Sequence, residues 1–330
     1  MYQKINKNKS ELNYLIFALT LGISTAYASN DATQWVNEMS SLAQKQSYSG
    51  VFVYSRNDDM TAMKITHLHE KGRTYEQLVS LNSEQAEVVR NNHGVKCTFP
   101  KGAPVISDKS NFSESLSSSI LNKIELAKNY QVSLGELNLV AGRRTKQAVI
   151  RANDDYRYSY RIWLDTDNGL MLKSQLLNTN DDIIEQMMFT SIEVFDAIPD
   201  YLRSALIDED SYGSVESDSA RHIKQASDQK NNWRIRKIPD GFSLAEYQRL
   251  QPSREKAFEH LFLTDGIAAV SVFVEEKGTN SSFVGASKIG VINAYGNIVD
   301  NHQITVVGEV PMSTLMLVGD SIEYSAAGLQ

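Results

Sequence analysis

Cysteine is nearly absent: Cys97 is the only one among 330 residues. One thiol cannot close an internal disulfide. It also lies far from the expected mature N-terminus, so it cannot carry a lipid anchor there. Flanked by Lys96 and Thr98 in a strand-like run, it reads as a small, partly buried side chain rather than a nucleophile. No apolar run reaches the roughly 20 residues that a membrane-spanning helix needs. Catalytic signatures are missing too. The chain contains no G-x-S-x-G elbow, no phosphate-cradling loop, no G-x-G-x-x-G and no H-E-x-x-H. Asp165, Asp167, Asp181 and Asp182 fall in turn-like segments, where carboxylates serve backbone geometry. We therefore assign no catalytic residue, no metal and no cofactor, and expect a protein that is not an enzyme. Basic residues number 33 against 40 acidic ones, a formal charge of −7. That balance argues against nucleic acid, whose phosphates call for clustered Lys and Arg.

What is present begins with an export signal. Lys4, Lys7 and Lys9 precede an apolar run from Leu12 to Ile23, which ends in Ala26-Tyr27-Ala28. Basic, apolar, then A-x-A is the order of a cleaved secretory signal, with cleavage expected after Ala28. Removing three lysines and Glu11 removes a net +2, so −7 becomes −9. The spacing of Trp35, Val36, Met39, Leu42 and Ala43 predicts a helix, with Asp31 and Gln34 as its capping pair.

From Val51 the period changes to two. Val51–Tyr54, Met63–His69, Thr74–Leu81, Ala86–Arg90 and Val95–Phe99 read as strands with turn signals between them, an antiparallel meander. Residues 100–113 read as loop. Leu116, Ile120, Leu121, Ile124 and Ala127 mark a second helix. Strands resume at Thr145–Arg151, Tyr156–Leu164, Leu170–Leu177 and Glu185–Phe195. In the Tyr156–Leu164 strand, Tyr156, Tyr158, Tyr160, Ile162 and Leu164 share a face. Residues 208–232 are polar and acidic and read as a linker. A second domain follows from Trp233. It has a turn at Ile238–Phe242, a hairpin around Asp265-Gly266, further strands near 290–294 and 304–307, and a closing helix from Pro311. The domain division is thus signal 1–28, first domain 29–207, linker 208–232 and second domain 233–330.

His67 and His69 share a strand face but lack a third ligand, so they read as exposed strand residues rather than zinc ligands. The more informative feature is apolar side chain on strands. A curved sheet with an apolar concave face holds a lipid or acyl chain, and the same residue types also build an ordinary core under the helices. Strand alternation selects Phe52, Tyr54, Tyr158, Tyr160, Ile162, Leu172 and Phe189 as the lining of such a cavity. A one-residue register error would invert that set.

Several segments resemble the RseB/MucB family of sigma-E regulatory proteins. They are Trp35-Val-x-x-Met39, Tyr48-Ser-Gly-Val-Phe-Val-Tyr54, Glu87-Val-Val-Arg90, Val140-Ala-Gly-Arg143 and Tyr156–Asp165. Later in the chain come Ile238-Pro-Asp-Gly-Phe242, Gly290–Tyr295 and Val306–Pro311. The resemblance implies an α+β protein. Its N-terminal domain would be an unclosed antiparallel β-barrel like those of the lipoprotein carriers LolA and LolB, with helices on the concave side. A smaller C-terminal α/β domain would follow. It also implies a periplasmic regulator that binds the periplasmic domain of a membrane anti-sigma factor (RseA/MucA type) and shields it from regulated proteolysis. Lipid or lipopolysaccharide is the implied signal and self-association an implied property. A periplasmic lipid or lipoprotein carrier is the alternative.

Overall fold

Ala32 and Val36 lie one turn apart on helix α1 (Ser24–Ala43) and are almost wholly buried. Trp35 and Met39 pack beside them. The apolar stripe is the expected one, although Leu42 is exposed. The helix starts seven residues before Asp31, so Asp31 is an interior residue and not a cap. Gln34 instead donates to Glu38 one turn on, at 2.9 Å. Ala26 and Ala28 are strong helix formers and carry the helix through this stretch. The computed structural model describes residues 24–56, 59–82, 87–91, 94–98, 105–107, 128–208, 224–225, 231–251, 257–278 and 282–325. The apolar core of the expected signal, the expected helix at 116–127, the Cys97 side chain and most of the 208–232 segment lie outside them.

Strands β1 (Ser47–Arg56), β2 (Asp59–Glu70), β3 (Arg73–Ser80), β4 (Glu87–Asn91), β5 (Gly94–Thr98) and β6 (Val105–Ser107) form one antiparallel meander. Strands β7 (Tyr130–Val140), β8 (Arg143–Ala152), β9 (Ser159–Asp165), β10 (Met171–Leu177) and β11 (Ile183–Phe195) form another. The order β6-β5-β4-β3-β2-β1-β11-β10-β9-β8-β7 joins the two through β1 and β11. The end strands β6 and β7 do not pair, so the sheet stays open. Alternation does not reveal β7, because a bulge between Leu134 and Leu137 breaks its period and three of its leucines are exposed. Strand β9 begins at Ser159 rather than Tyr156. The Asp154 carboxylate accepts from the Tyr156 N–H at 3.0 Å and from Arg157 Nε at 3.1 Å, holding the chain in a turn.

Register places Ala148, Ile150, Tyr160, Ile162, Ser174, Leu176, Met187, Phe189, Phe52 and Ile65 on one face. Helix α1 covers the β7–β9 end of that face, where Ala148, Ile150, Ile162 and Leu164 are fully buried. Burial of that kind is worth about 1.5–3 kcal/mol for each large side chain. The turn at Asp165–Gly169 packs directly on α1. Gly169 has φ +76°, and a Cβ there would stand 2.0 Å from the Met39 carbonyl oxygen.

The second sheet contains β12 (Lys224–Gln225), β14 (Ser243–Gln251), β15 (Phe258–Thr264), β16 (Ala269–Glu276), β17 (Gly285–Ile289), β18 (Ile292–Val299) and β19 (His302–Gly308), in the order β12-β14-β15-β16-β19-β18-β17. Lys224–Gln225, within the expected linker, pairs with the end of β14. Helix α2 (Asp200–Arg203) and a π-helical turn (Ser204–Asp208) end the first unit. Helix α3 (Met312–Ser321) follows Pro311 and buries Leu315 and Val318 against Ile304, Val306, Val270 and Val272. Strands β13 (Trp233–Ile235) and β20 (Ile322–Tyr324) pair with each other beneath it.

The two sheets meet around the Asp154–Tyr158 turn. Thr314 Oγ donates to the Tyr156 carbonyl at 2.6 Å, and Asn293 Nδ2 donates to the Tyr158 hydroxyl at 3.1 Å. Arg157 Nη1 pairs with Asp265 at 2.6 Å, while Nη2 donates to the Asp240 carbonyl at 2.6 Å. These bonds hold the second unit against the mouth of the first sheet.

Candidate functional site

The part of the concave face that α1 leaves uncovered is a cavity of about 510 Å³, within the roughly 300–1,000 Å³ typical of small-molecule sites. Strand β1 contributes Tyr48, Phe52 and Tyr54, and β2 and β3 contribute Met63, Ile65 and Leu78. Strand β11 adds Glu185, Met187 and Phe189, while β9 and β10 add Tyr160, Met171, Ser174, Gln175 and Leu176. Ile267 and Glu309 reach in from the second unit. Phe52 and Phe189 are paired across β1 and β11, with ring centroids 5.5 Å apart. Gly50 makes this possible, since a Cβ there would lie 2.7 Å from the Phe189 ring. Met63, Met171 and Met187 give the wall an adaptable surface.

Of the seven residues selected from the sequence, Phe52, Tyr54, Tyr160 and Phe189 line this cavity. Tyr158, Ile162 and Leu172 do not. Tyr158 sits in the turn ahead of β9 and turns its hydroxyl to Asn293. Ile162 lies under α1 and is fully buried in the core. Leu172 falls at an irregularity in the β9–β10 pairing and packs with Trp163 and Leu170. Alternation identifies a face, but not which stretch of that face a helix covers. Met63, Ile65, Leu78, Met171 and Met187 are further wall residues, legible only once the pairing of β1 with β2 and β11 is known. Ile267 and Glu309 are long-range contributions with no local signal.

One end of the cavity is polar. The Tyr54 hydroxyl donates to Glu185 at 2.6 Å, and Gln175 donates to Gln186 at 2.6 Å. Loss of solvation raises the Tyr54 phenol well above its ordinary value, and the bond to Glu185 adds to the shift. The Glu185 carboxyl is raised by loss of solvation, opposed by the Tyr54 hydrogen bond and by Arg56. Glu309 is pushed up to about 7, first by loss of solvation, then by the Glu185 charge, with Arg56 opposing. Glu309 lines the cavity but is itself exposed, so solvent screens its electrostatics. Among the described residues the wall carries no His, Cys, Lys or Arg, and its Tyr54 hydroxyl is spent on the Glu185 carboxylate. The wall is mostly apolar, the kind of surface that suits an apolar molecule.

The raised Glu309 pKa has a stability consequence. The folded carboxyl titrates near 7 and the unfolded one near 4.5. Its contribution is therefore complete below pH 4.5 and is lost as pH rises through about 7. Solvent screening at the mouth limits the effect to about 1 kcal/mol or less. Urea denaturation of wild type and Glu309→Gln between pH 5 and 8 checks this. The wild type is expected to lose more stability across that range than the variant, and parallel curves would refute it.

His67 is not an exposed strand residue. It is buried, stacks on Tyr48 at 5.2 Å and meets Glu76 at 3.3 Å, with Arg90 on the other Glu76 oxygen. The β2–β3 register places His67 opposite Glu76, which the local pattern did not reveal. Among the described residues no cluster of His, Cys, Asp and Glu is arranged to hold a metal. No helix among them is long and apolar enough to cross a membrane.

Comparison with known proteins accounts for both units. Residues 31–207 match the model of the MucB/RseB N-terminal domain, and residues 227–323 that of the MucB/RseB C-terminal domain. The sigma factor AlgU regulatory protein MucB of Pseudomonas aeruginosa is 30% identical over 305 residues, covering 90% of this chain and 92% of that protein. The sigma-E factor regulatory protein RseB of Haemophilus influenzae is 24% identical over 323 residues, covering 96% and 99%. The fold matches that of MucB in the solved Pseudomonas aeruginosa MucA/MucB complex with a TM-score of 0.68, at 26% identity, over 90% of this chain and 99% of that one. An open antiparallel sheet with a helix on its concave face, a smaller second sheet and a matching model over each unit make this chain a member of the MucB/RseB family of regulatory proteins, which are binding proteins rather than enzymes.

Proposed function

We propose that this chain is a periplasmic regulator that binds the periplasmic part of a membrane anti-sigma factor and shields it from proteolysis, restraining a sigma-E type response. In this proposal the chain is exported and its signal cleaved after Ala28, residues 29–207 and 233–330 act as the two working units, and residues 208–232 connect them. The observation that carries the proposal is the solved complex of the relative MucB with the periplasmic part of MucA, combined with family matches over both units. Binding of an acyl chain from lipid or lipopolysaccharide in the cavity is the proposed signal. Its support is an apolar wall with one polar end.

The proposed partner surface is the face of the second sheet opposite α3. Phe258, His260, Phe262 and Phe273 lie together there, with His260 stacked on Phe273 at 4.7 Å and Phe258 6.0 Å from Phe273. Clustered aromatics of this kind commonly anchor an interface. Titration of the purified chain with the periplasmic segment of its cognate anti-sigma factor tests the assignment. Phe262→Ser is expected to weaken binding by about tenfold or more. Undetectable binding by the wild type would refute the regulatory function, and unchanged binding by a folded Phe262→Ser would refute the surface. A lipid or lipoprotein carrier remains the second function consistent with the cavity. The second unit favours the regulator, because a carrier needs only the first.

A further inference from the structure

Arg157 is the most deeply buried charged side chain at the junction of the two units, with its side chain 0% exposed and that of its partner Asp265 at 1%. Every part of its guanidinium is used. Nε meets Asp154, Nη1 meets Asp265, and Nη2 meets the Asp240 carbonyl, which also accepts from Asn129 at 2.6 Å. The guanidinium also stands over two aromatic rings, 5.0 Å from the centroid of Phe242 and 5.6 Å from that of Tyr130. A charge placed so deeply is costly unless it is fully paired, and here the pairing crosses from one unit to the other.

Asp265 conveys this position to the cavity. Its Oδ2 takes the Arg157 bond, while its Oδ1 accepts the backbone N–H groups of Ile267 at 2.9 Å and Ala268 at 2.7 Å. One carboxylate thus fixes the hairpin turn and attaches it to Arg157. Ile267, held by that turn, forms part of the cavity wall. The Asp154–Tyr158 turn that carries Arg157 leads directly into β9, where Tyr160 also lines the cavity. The same turn receives Thr314, Ser313 and Asn293 from the second unit.

We propose that the Arg157–Asp265 pair is a latch between the two units, positioning Ile267 as a roof over the cavity, so that a ligand enters or leaves when the latch opens and the second unit lifts. Arg157 and Asp265 are positioning residues and touch no ligand. The roof part rests on the reading of the cavity as a ligand site, whereas the latch part does not.

Two measurements separate these parts. Spin labels at Glu193→Cys and Lys277→Cys, in a Cys97→Ser background, report the distance between the units in the empty full-length chain. Asp265→Asn keeps the side-chain shape and removes the charge, and Arg157→Met keeps most of the volume. Both are expected to broaden the distance distribution while circular dichroism stays unchanged. An unchanged distribution in both variants overturns the latch. Stopped-flow binding of the neutral probe N-phenyl-1-naphthylamine reports access. Asp265→Asn is expected to speed entry and release by at least about tenfold. Ile267→Ala should speed release without widening the distance. Broadened distances with unaltered probe kinetics overturn the roof. A wild type that binds no probe overturns the cavity reading and the roof with it, while the distances still decide the latch.

Discussion

Arg157→Ala is expected to destabilise the protein by about 3–5 kcal/mol, the usual cost of removing one partner from a buried ion pair. The loss has three sources. Asp265, with its side chain 1% exposed, is left without its cation. Phe242 and Tyr130 lose the cation packed against their rings, and the junction loses a donor to the Asp240 carbonyl. Arg157→Met restores the packing but not the charge and should recover part of the loss. Removing both charges with Arg157→Met and Asp265→Asn should cost less than the sum of the single changes, because neither member of the Arg157–Asp265 pair is then left buried opposite a missing partner. Urea denaturation followed by tryptophan fluorescence measures all four. Trp233 in the second unit and Trp163 in the first report the two transitions separately if the junction no longer couples them. A loss below about 1 kcal/mol for Arg157→Ala would show that the pair is solvated in solution.

Leu172→Ala is expected to cost about 2–5 kcal/mol and Met187→Ala about 1 kcal/mol or less, although both are large-to-small changes on the same sheet. Leu172 is fully buried among Trp163, Leu170 and Phe189, so its removal opens a new void. Met187 faces a space that already exists, so truncation enlarges the cavity without creating one. Ile162→Ala should behave like Leu172→Ala for the same reason. The comparison separates wall from core among residues that strand alternation treats alike. Equal losses at Leu172 and Met187 would mean that the cavity is filled or collapsed in solution.

Much of the architecture is written in local pattern. Val51–Tyr54, Met63–His69 and Glu185–Phe195 lie within strands, and Leu170–Leu177 matches β10 to within one residue. Asp265-Gly266 marks a hairpin turn between β15 and β16. The parity of the concave face is legible too, since Phe52, Tyr54, Tyr160, Ile162 and Phe189 share it. What local pattern lacks is the placement of α1 along that face. Composition fits a core and a cavity equally well, and the sheet carries both: core beneath α1 and open wall beyond it. Strand β7 escapes because its bulge breaks the period, and Tyr158 is misplaced because the Asp154 side chain delays the start of β9. Ile267 and Glu309 escape because they reach the cavity from the second unit, far in sequence from the strands that form its walls. Arg157 itself reads as an outward strand residue beside Tyr156 and Tyr158, and no local signal marks it as buried.

The most direct test of the account is calorimetric titration of the anti-sigma periplasmic segment into the protein, with and without a short-chain phospholipid, for wild type and for Ser174→Trp. Ser174 is half-buried on the cavity wall, and tryptophan there occupies the space while leaving Phe258, His260, Phe262 and Phe273 unaltered. The expected result is tight partner binding by both proteins, weakened by lipid only in the wild type. Lipid that weakens partner binding equally when the cavity is filled, or a partner that fails to bind either protein, would contradict it.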